Sequence, residues 1–426
     1  MNDTIFALSS GSPPAAIAIV RISGEEAAKA LEVLLAGERP QPRRASVRRL
    51  ADGDNATLDH ALVLWFPGPA TATGEDLVEL HLHGGRAVIT AVENALGAIP
   101  GLRRAEPGEF TRRAFANGRI DLAEAEGLAD LLTAETELQR RQAIALASGA
   151  LSSQIARWRD DVLSLSAQLE AVLDFGGEDD VEDIPPSFAG LLQDLAGEIR
   201  TLLEGPRSEK LREGFRVVLA GPPNAGKSSL FNRLIEDEAA ITAPRPGTTR
   251  DVLTRPIAIR GVPFVFADTA GLREDTDDSI EAIGIQRAMG EVAGADLVLW
   301  LGPEGEGSGN VIWEIESFAD TGTKSKGGAR HRVSAITGVG LDALRDDLVQ
   351  LASQAMVKPG SLAVNQRQHD LLEVACEALN QSKNVTDQLL VGECLRSARV
   401  ALDRLLGRSA AEDMLDALFR RFCIGK

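Results

Sequence analysis

The sequence is poor in cysteine, in long apolar runs and in positive charge, and each shortage excludes a class of protein. The three cysteines, Cys376, Cys394 and Cys423, show neither metal-site spacing nor an even-numbered disulfide framework, which favours a reducing, cytoplasmic setting. No apolar run approaches the length of a membrane span. The opening MNDTIFALSSG lacks the basic start and apolar core of a signal peptide. We therefore expect a cytoplasmic protein without a membrane partner.

The shortage of positive charge leaves a formal net charge of −18. A protein that holds nucleic acid by general electrostatics is basic, so any RNA contact here must use local patches. The stretch ERPQPRRASVRRL brings together five arginines, namely Arg39, Arg43, Arg44, Arg48 and Arg49. We interpret this stretch as a solvated loop in preference to a binding patch.

The C-terminal tail, DALFRRFCIGK, places Cys423 where a prenylation motif has its cysteine. Gly425 and Lys426 depart from that motif, so lipidation is not expected. Two alternatives stay open: a frayed terminus, which is usual for chain ends, or a functional part of a folded domain.

The 426 residues suffice for about three domains. Residues 1–120 mix short strand-like runs with helical stretches, which predicts an α+β domain. Residues 121–212 and 357–426 are helical, with apolar residues at steps of three and four. The clearest such seam consists of Leu151, Ile155, Trp158, Val162, Leu165, Leu169 and Val172.

The two helical segments must each bury an apolar face, and the simplest solution packs them against each other. Residues 213–356 then form a separate domain inserted between them. Strand-like runs alternate with helical sequence in this insert, as in FRVVLAG, VPFVFADTAG, ADLVLWL, NVIWEIE and HRVSA. This alternation predicts an α/β fold with a doubly wound, mostly parallel sheet covered on both faces.

The strongest motif is GPPNAGKSS, Gly221 to Ser229, between an apolar strand and a helical run. This is the setting of a P-loop. Gly221 and Gly226 let backbone amides face phosphates, and the following helix N-terminus favours negative charge. Lys227 is expected to neutralise the β- and γ-phosphates, and the Ser228 hydroxyl to bind Mg²⁺.

Two further stretches follow in the order that a GTPase requires. GTTRD contains Thr249, suited to complete the Mg²⁺ shell, and DTAG contains Asp268 and Gly271, suited to reach Mg²⁺ through water and to sense the γ-phosphate. Loops that order on a γ-phosphate and relax after hydrolysis make a switch. The set predicts a GTP-hydrolysing domain.

Two positions depart from the usual GTPase pattern. Ras-type enzymes place a water-orienting glutamine directly after the glycine, where this chain has Leu272. The stretch REDTDDSIEAIG offers several carboxylates as a substitute, and Glu281, which lies nearest an apolar run, is our candidate; the alternative for each of them is an exposed acidic loop. No N/T-K-x-D motif is present for the base. SFAD follows a predicted strand, so Asp320 is the candidate acceptor for guanine, with Phe318 in place of the lysine, and SAITG fits the final guanine loop. The residues assigned to GTP binding are Gly221, Asn224, Ala225, Gly226, Lys227, Ser228, Ser229, Thr248, Thr249, Asp268, Thr269, Ala270, Gly271, Asp320, Ser334 and Ala335.

Taken together, these motifs resemble the MnmE (TrmE) family of tRNA-modification GTPases. The likeness covers nearly the whole chain, through DTIFALSSG, IAIVRISG, TGEDLVELHLHGG, RRAEPGEFTRRAFANGRIDLAEAEGLADLL and the C-x-G-K end RFCIGK. The resemblance implies a dimerising N-terminal domain related to folate-binding modules, a helical domain, and a G domain inserted into it.

The resemblance further implies a tetrahydrofolate derivative, in the 5-formyl or 5,10-methylene form. The expected contacts are Arg21, Glu79, Arg119 and Lys426; Arg119 stands where the family often has lysine. His81 and His83 are expected to line this pocket or its HGG turn, since no third ligand for a zinc site is evident. Cys423 would lie in the folate-facing tail, and we favour inert packing over chemistry for its thiol.

For catalysis, the resemblance implies K⁺-dependent dimerisation of G domains, with Asn224 binding K⁺, Ser228 and Thr249 binding Mg²⁺, and Glu281 acting as the catalytic residue. It implies a homodimer that works on tRNA with the FAD-containing partner MnmG, in a heterotetramer or larger complex. Their expected product carries an aminomethyl or carboxymethylaminomethyl group at C5 of the wobble uridine.

Two alternatives come from other classes. A ribosome-assembly or RNA-binding regulatory GTPase of the Era or Der type would carry a basic RNA-binding module or a second G domain, and the sequence has neither. A scaffold with a non-functional G domain would fit the altered base motif, but the retained Lys227, Ser228, Thr249 and Asp268 argue against it.

Overall fold

The computed structural model describes most of the chain, in two compact units. The described residues are 3–35, 37–175, 184–185, 187–205, 207–236, 254–268, 290–320, 326–356, 362–409 and 412–425. Unit 1 comprises Met1–Ala129, Ala147–Ala156 and Asp403–Lys426, and unit 2 comprises Asp130–Leu146 and Arg157–Leu402. Among the described helices, none has the length and apolarity needed to cross a membrane.

Unit 1 is built on a six-stranded sheet in the order β3-β4-β5-β2-β1-β6. Its strands are β1 Thr4–Leu8, β2 Ile17–Ser23, β3 Ser46–Ala51, β4 Thr57–Phe66, β5 Leu77–His83 and β6 Leu102–Arg104. All neighbours are antiparallel except β1 and β6. The helices of this part of the chain are α1 Ala27–Leu35, α2 Arg86–Gly97, α3 Glu109–Ala116 and α4 Leu122–Thr133.

One face of this sheet is buried under α1 and α2. Along β4, Ala61, Val63 and Trp65 are buried while the residues between them are exposed or half-buried. This period-two alternation is typical of a sheet with one covered face. Leu31 of α1 and Leu96 of α2 belong to the same core. The predicted α+β fold of the N-terminal region is confirmed.

The arginine-rich stretch is not the loop that we predicted. Its second half is β3, the edge strand, and Arg48 and Arg49 lie on it, paired opposite Ala61 and His60. An edge strand tolerates charged side chains because one of its sides needs no partner. The Arg39 guanidinium lies over the Trp65 ring.

The C-terminal tail is folded into unit 1. The helix Glu412–Phe419, labelled α13 here, places Leu418 and Phe419 in a core with Leu122 and Ala125 of α4. Beyond it, Ile424 forms a β-bridge with Pro107. The frayed-terminus alternative is therefore excluded for the described tail.

Unit 2 contains the second sheet and most of the remaining helical residues; residues 147–156 and 403–405, at the ends of three of these helices, belong to unit 1. Its helices before the sheet are α5 Glu137–Ala147, α6 Ala150–Phe175, α7 Ser187–Leu203 and α8 Ser208–Glu213, and those within or after it are α9 Lys227–Glu236, α10 Leu341–Ala355, α11 Gln366–Ser382 and α12 Gln388–Leu405. The predicted seam of α6 is buried from Leu151 to Leu169. Helices α7 and α11 pack together, and the Cys376 thiol lies 3.6 Å from the Ala196 carbonyl oxygen.

The second sheet has six strands in the order β12-β11-β10-β7-β9-β8. These are β7 Phe215–Ala220, β8 Thr254–Ile259, β9 Val262–Asp268, β10 Leu297–Trp300, β11 Ile312–Glu316 and β12 His331–Arg332. All pairs are parallel except β8 with β9. The mostly parallel nucleotide-binding fold is confirmed. It stands in the chain between α7 and α11, so it is inserted into the helical region.

The exact domain boundaries at residues 120, 212 and 356 remain predictions. The two compact units divide the chain differently, because unit 2 holds both the second sheet and most of the helical residues.

Candidate functional sites

The P-loop runs from the end of β7 into α9, at the carboxyl edge of the parallel sheet. Gly226 has a φ of +90°, and a Cβ atom built there would lie 3.2 Å from Cζ of Phe318. Gly221 has a φ of +147°, and its built Cβ would lie 3.0 Å from the Gly302 nitrogen. Both positions therefore need glycine for conformation and for space.

Lys227 is held inside the loop. It is 6% exposed, and its Nζ donates hydrogen bonds to the carbonyl oxygens of Gly221 at 2.9 Å and Pro222 at 2.8 Å. A buried ammonium must be hydrogen-bonded, and here backbone oxygens of the loop provide the acceptors. The positive charge thus lies within the curve where a P-loop binds phosphate.

Ser228 and Asp268 meet beside the loop. The Ser228 hydroxyl donates a 2.7 Å hydrogen bond to Oδ2 of Asp268, which is 3% exposed at the end of β9. A hydroxyl and a carboxylate are hard oxygen ligands of the kind that Mg²⁺ prefers. The donor set therefore fits a magnesium ion bound between the P-loop and the end of β9.

Asn224 is exposed at the tip of the P-loop and has a φ of +61°. Asparagine is among the few residues that adopt this left-handed conformation readily. The side-chain amide oxygen of Asn224 is a chemically suitable ligand for K⁺. The loop expected to supply the other K⁺ ligands lies outside the described residues.

The segment after β11, residues 317–320, is hydrogen-bonded to the P-loop and to the end of β12. The Ser317 hydroxyl donates to the Ala225 carbonyl oxygen at 2.7 Å, and the Ala319 amide donates to the Val333 carbonyl oxygen at 3.2 Å. These bonds bring together the P-loop, the SFAD segment and the SAITG loop. The exposed Asp320 lies on the SFAD segment, and Ser334, which follows Val333, begins the SAITG loop.

Ser334 is buried and shapes its own turn. Its amide donates to the Val339 carbonyl oxygen at 3.0 Å, and its hydroxyl accepts from the Thr337 amide at 3.1 Å. Ala335 is next in the chain and is half-buried. The structure thus brings the P-loop, the SFAD segment and the SAITG loop to the same edge of the sheet.

Several predicted site residues lie outside the described part of the chain and stay predictions. They are Thr248, Thr249, Thr269, Ala270, Gly271, Glu281 and Lys426.

Two of the predicted folate contacts pair with each other in unit 1. Arg21 of β2 and Glu79 of β5 are direct cross-strand partners. Nη2 and Nε of Arg21 donate to Oε1 of Glu79 at 2.7 Å and 3.1 Å. The other oxygen, Oε2, lies 3.6 Å from Nε2 of His81, a buried nitrogen that has no hydrogen-bond partner in the described structure.

Arg119 and His83 have separate surroundings. The stem of Arg119 packs over Gly74, whose built Cβ would lie 3.3 Å from Cγ of Arg119. His83 pairs through Nδ1 with Oδ1 of Asp59 at 2.7 Å. Burial raises the pKa of Asp59, but the hydrogen bonds from His83 and His60 bring that pKa below its usual value.

A buried ion network beneath this region was missed by the sequence reasoning. Arg113, only 2% exposed, contacts Glu109 at 3.1 Å, Glu75 at 3.2 Å and Asp3 at 3.0 Å. The network anchors the 67–76 loop, because Glu75 also accepts a 2.8 Å hydrogen bond from the Ser23 hydroxyl. Glu75 and Asp3 lie 38 and 110 positions from Arg113 in the chain, so the sequence carries no local signal of these two pairs.

The tail lies beside the same domain. The Gly108 amide donates to the Cys423 carbonyl oxygen at 3.4 Å, and Gly425 packs on the Leu8 backbone, where a built Cβ would lie 2.1 Å from the carbonyl oxygen. Cys423 itself is exposed. Our interpretation of Cys423 as a packing residue is therefore wrong, and the inertness of its thiol stays a prediction.

Comparison with known proteins places both units in one family. A family model described as the MnmE helical domain matches residues 122–423, and one described as the GTP-binding protein TrmE N-terminus matches residues 4–119. The chain is similar to a tRNA modification GTPase MnmE of Erythrobacter litoralis, 60% identical over 100% of both chains. It is also similar to the MnmE of Novosphingobium aromaticivorans, 59% identical over 100% of both chains.

Among solved structures, the chain is similar to the G domain of the T. maritima FeoB iron transporter. The identity is 22%, the TM-score is 0.23, and the match covers 32% of this chain and 98% of that one. Such a low score adds nothing to the assignment. The family models and the full-length relatives suffice, and they agree with the P-loop geometry: the chain belongs to the MnmE family of tRNA modification GTPases.

Proposed function

We propose that this chain binds GTP with Mg²⁺ and hydrolyses it to drive modification of the wobble uridine in certain tRNAs. The observation that carries the proposal is the arrangement of Lys227, Ser228 and Asp268 around the P-loop. Lys227 would exchange its two carbonyl acceptors for phosphate oxygens, which are stronger partners because the hydrogen bonds are charge-assisted.

Mg²⁺ would bind to the Ser228 hydroxyl, with Asp268 reaching it through a water and Thr249 completing the shell. The ion supplies positive charge that offsets the charge developing on the phosphates during transfer. The Ser228–Asp268 hydrogen bond at 2.7 Å keeps both oxygens beside the phosphate loop. Hydrolysis itself needs a group to orient water, and Glu281 is the proposed residue.

The proposed GTPase works as a homodimer with K⁺ as an additional cation, bound by Asn224. Support comes from the exposed, left-handed Asn224 at the tip of the P-loop. A cation there would stabilise the transition state as an arginine finger does in other GTPases. The GTPase rate should rise in KCl relative to NaCl; equal rates in the two salts would contradict this part.

A tetrahydrofolate derivative is proposed to bind in unit 1, near Arg21, Glu79, Arg119 and Lys426. Support comes from Glu79, whose Oε2 can accept from the N–H edge of a pterin, and from the unpaired buried Nε2 of His81 beside it. When bound, the folate supplies the one-carbon unit. Arg21 keeps the Glu79 carboxylate oriented, and Arg119 offers a cation to the glutamate tail of the folate.

The proposed partners are tRNA and the FAD-containing MnmG, in a heterotetramer or larger complex. The proposed product is an aminomethyl or carboxymethylaminomethyl group at C5 of the wobble uridine. Support comes from full-length relatives that are tRNA modification GTPases MnmE, one of them 60% identical.

Nucleoside analysis of tRNA tests the proposal. A strain without this protein should lack the modified wobble uridine, the wild-type chain should restore it, and Lys227→Ala should not. Wobble uridines that stay modified in the deletion strain would refute the tRNA function, whatever the GTPase activity.

A further inference from the structure

Phe318 is an exposed aromatic residue at the rim of the phosphate loop. It lies two residues beyond the end of β11 and is 41% exposed. Its φ is +65°, in the left-handed region. A bulky residue seldom adopts this region, and such outliers concentrate at functional sites.

Hydrogen bonds on both sides hold Phe318 in this conformation. Before it, the Ser317 hydroxyl bonds the Ala225 carbonyl oxygen at 2.7 Å, and after it, the Ala319 amide bonds the Val333 carbonyl oxygen at 3.2 Å. The backbone around Phe318 is thus fixed to the P-loop on one side and to the end of β12 on the other.

The ring lies against the P-loop backbone. Its Cζ and Cε2 atoms lie 3.2 Å and 3.4 Å from the position that a Gly226 Cβ would take. The edge of the ring therefore contacts the loop that would hold the phosphates, while part of its surface faces solvent. A nucleotide with its phosphates at Lys227 must extend its base past this rim, and the exposed carboxylate of Asp320 lies two residues further on.

We propose that Phe318 is a stacking platform for the purine base, next to the candidate base acceptor Asp320. The inference rests on the proposed GTP binding and assigns a second residue to the base. Stacking on an aromatic ring tolerates different bases, because every base has a π-face. Phe318 would then contribute affinity for purines generally, whereas discrimination of guanine would fall to Asp320.

The alternative is that Phe318 only fills space beside Gly226. Phe318→Leu separates the two roles, because leucine keeps apolar contact with the loop and lacks a π-face. Phe318→Trp is the matched control that keeps the π-face. The ligands are GDP, IDP, and inorganic tripolyphosphate, which carries phosphates without a base.

Calorimetric dissociation constants for these ligands decide between the roles. We expect Phe318→Leu to weaken GDP and IDP by similar factors, about 5- to 150-fold, from the usual contribution of base–aromatic stacking. Tripolyphosphate affinity should stay unchanged, and Phe318→Trp should bind GDP within about threefold of wild type.

GDP affinity unchanged in Phe318→Leu would overturn the inference and leave the proposed function standing. An equal loss for tripolyphosphate would also overturn it, since the ring would then be a structural support of the P-loop. If the wild-type chain bound neither GDP nor tripolyphosphate, the proposed function would fail together with the inference. Thermal unfolding of each variant checks that the chain is folded.

Discussion

The substitution Gly108→Ala should detach the C-terminal tail, residues 412–425, from the rest of unit 1. Gly108 precedes α3 with a φ of +71°, and its amide donates to the Cys423 carbonyl oxygen. A Cβ built on Gly108 would lie 2.2 Å from the Phe419 carbonyl oxygen and 2.8 Å from the Phe419 carbonyl carbon. Both contacts are with backbone, so no rotamer change can relieve them.

The energetic cost of Gly108→Ala follows from the steric overlap, and Gly118→Ala is its matched control. Ordinary contact begins at 3.4 Å, so the tail must move by about 1.2 Å. Overpacking of this kind costs about 1–3 kcal/mol. Gly118 has a nearly equal φ of +64° but nothing within 4 Å of its built Cβ. Gly118→Ala therefore bears the same left-handed cost, about 1–2 kcal/mol, without the overlap.

Hydrogen exchange in residues 412–425 measures tail opening. Gly108→Ala should raise the opening equilibrium by about 5- to 150-fold over Gly118→Ala, the factor that corresponds to about 1–3 kcal/mol. Labelling of nearby Cys423 is no substitute, because that residue is already exposed. Equal exchange in the two variants would refute the docking of the tail on Gly108.

Three further predictions concern the ion network and the phosphate site. Arg113→Met should lower the free energy of unfolding by about 1–3 kcal/mol, because Glu109, Glu75 and Asp3 lose the hydrogen bonds of Arg113 while Glu109 and Asp3 keep those of Arg103. Arg104→Met, 64% exposed in its side chain, should cost less than about 1 kcal/mol in the same urea titration. Burial raises the pKa of Glu109, but the hydrogen bond from Arg103 and its other partners hold that pKa below the usual value. The stability that ionised Glu109 contributes is therefore fully present above the usual pKa of a glutamic acid and is lost as pH falls through the lowered pKa. The thermal unfolding temperature of wild type should fall with pH in this acid range, and Glu109→Gln should make that fall less steep. An unchanged dependence on pH would contradict the role of Glu109. Ser228→Ala should abolish GTP turnover and the Mg²⁺ dependence of nucleotide affinity, and turnover near wild type would exclude Ser228 as a metal ligand.

The nucleotide fold could be predicted because its signals are local. The strands β7, β9, β10, β11 and β12 were all predicted from strand-like runs that alternate with helical stretches. The edge strand β8 was missed because Pro256 interrupts its pattern, and proline is confined to edge strands, where an amide donor is dispensable. The three-residue β6 is too short to leave a pattern.

The charged strand β3 was mistaken for a loop because Arg48 and Arg49 break its apolar pattern. The prediction of the helical seam from Leu151 to Leu169 was confirmed for the opposite reason, since the period of its apolar residues is regular and each of them is buried. Periodicity is informative where burial is one-sided and regular.

The candidate sites were predicted residue by residue, but their pairings were not. Arg21 and Glu79 were both named from the sequence, yet their hydrogen bond depends on the register of β2 with β5. The link from Ser317 to Ala225 joins residues 92 positions apart. Pairing across such distances is set by tertiary structure, which a local pattern does not encode.

The most direct test of the central claim, that the P-loop and the SFAD segment form one guanine nucleotide site, is the relative affinity for GDP and XDP. Wild type should prefer GDP, since on this account the Asp320 carboxylate would accept hydrogen bonds from the guanine N–H groups. Asp320→Asn should shift the preference toward XDP, because its amide can donate to the xanthine oxygen. An Asp320→Asn variant that still prefers GDP over XDP by the wild-type factor would contradict the account.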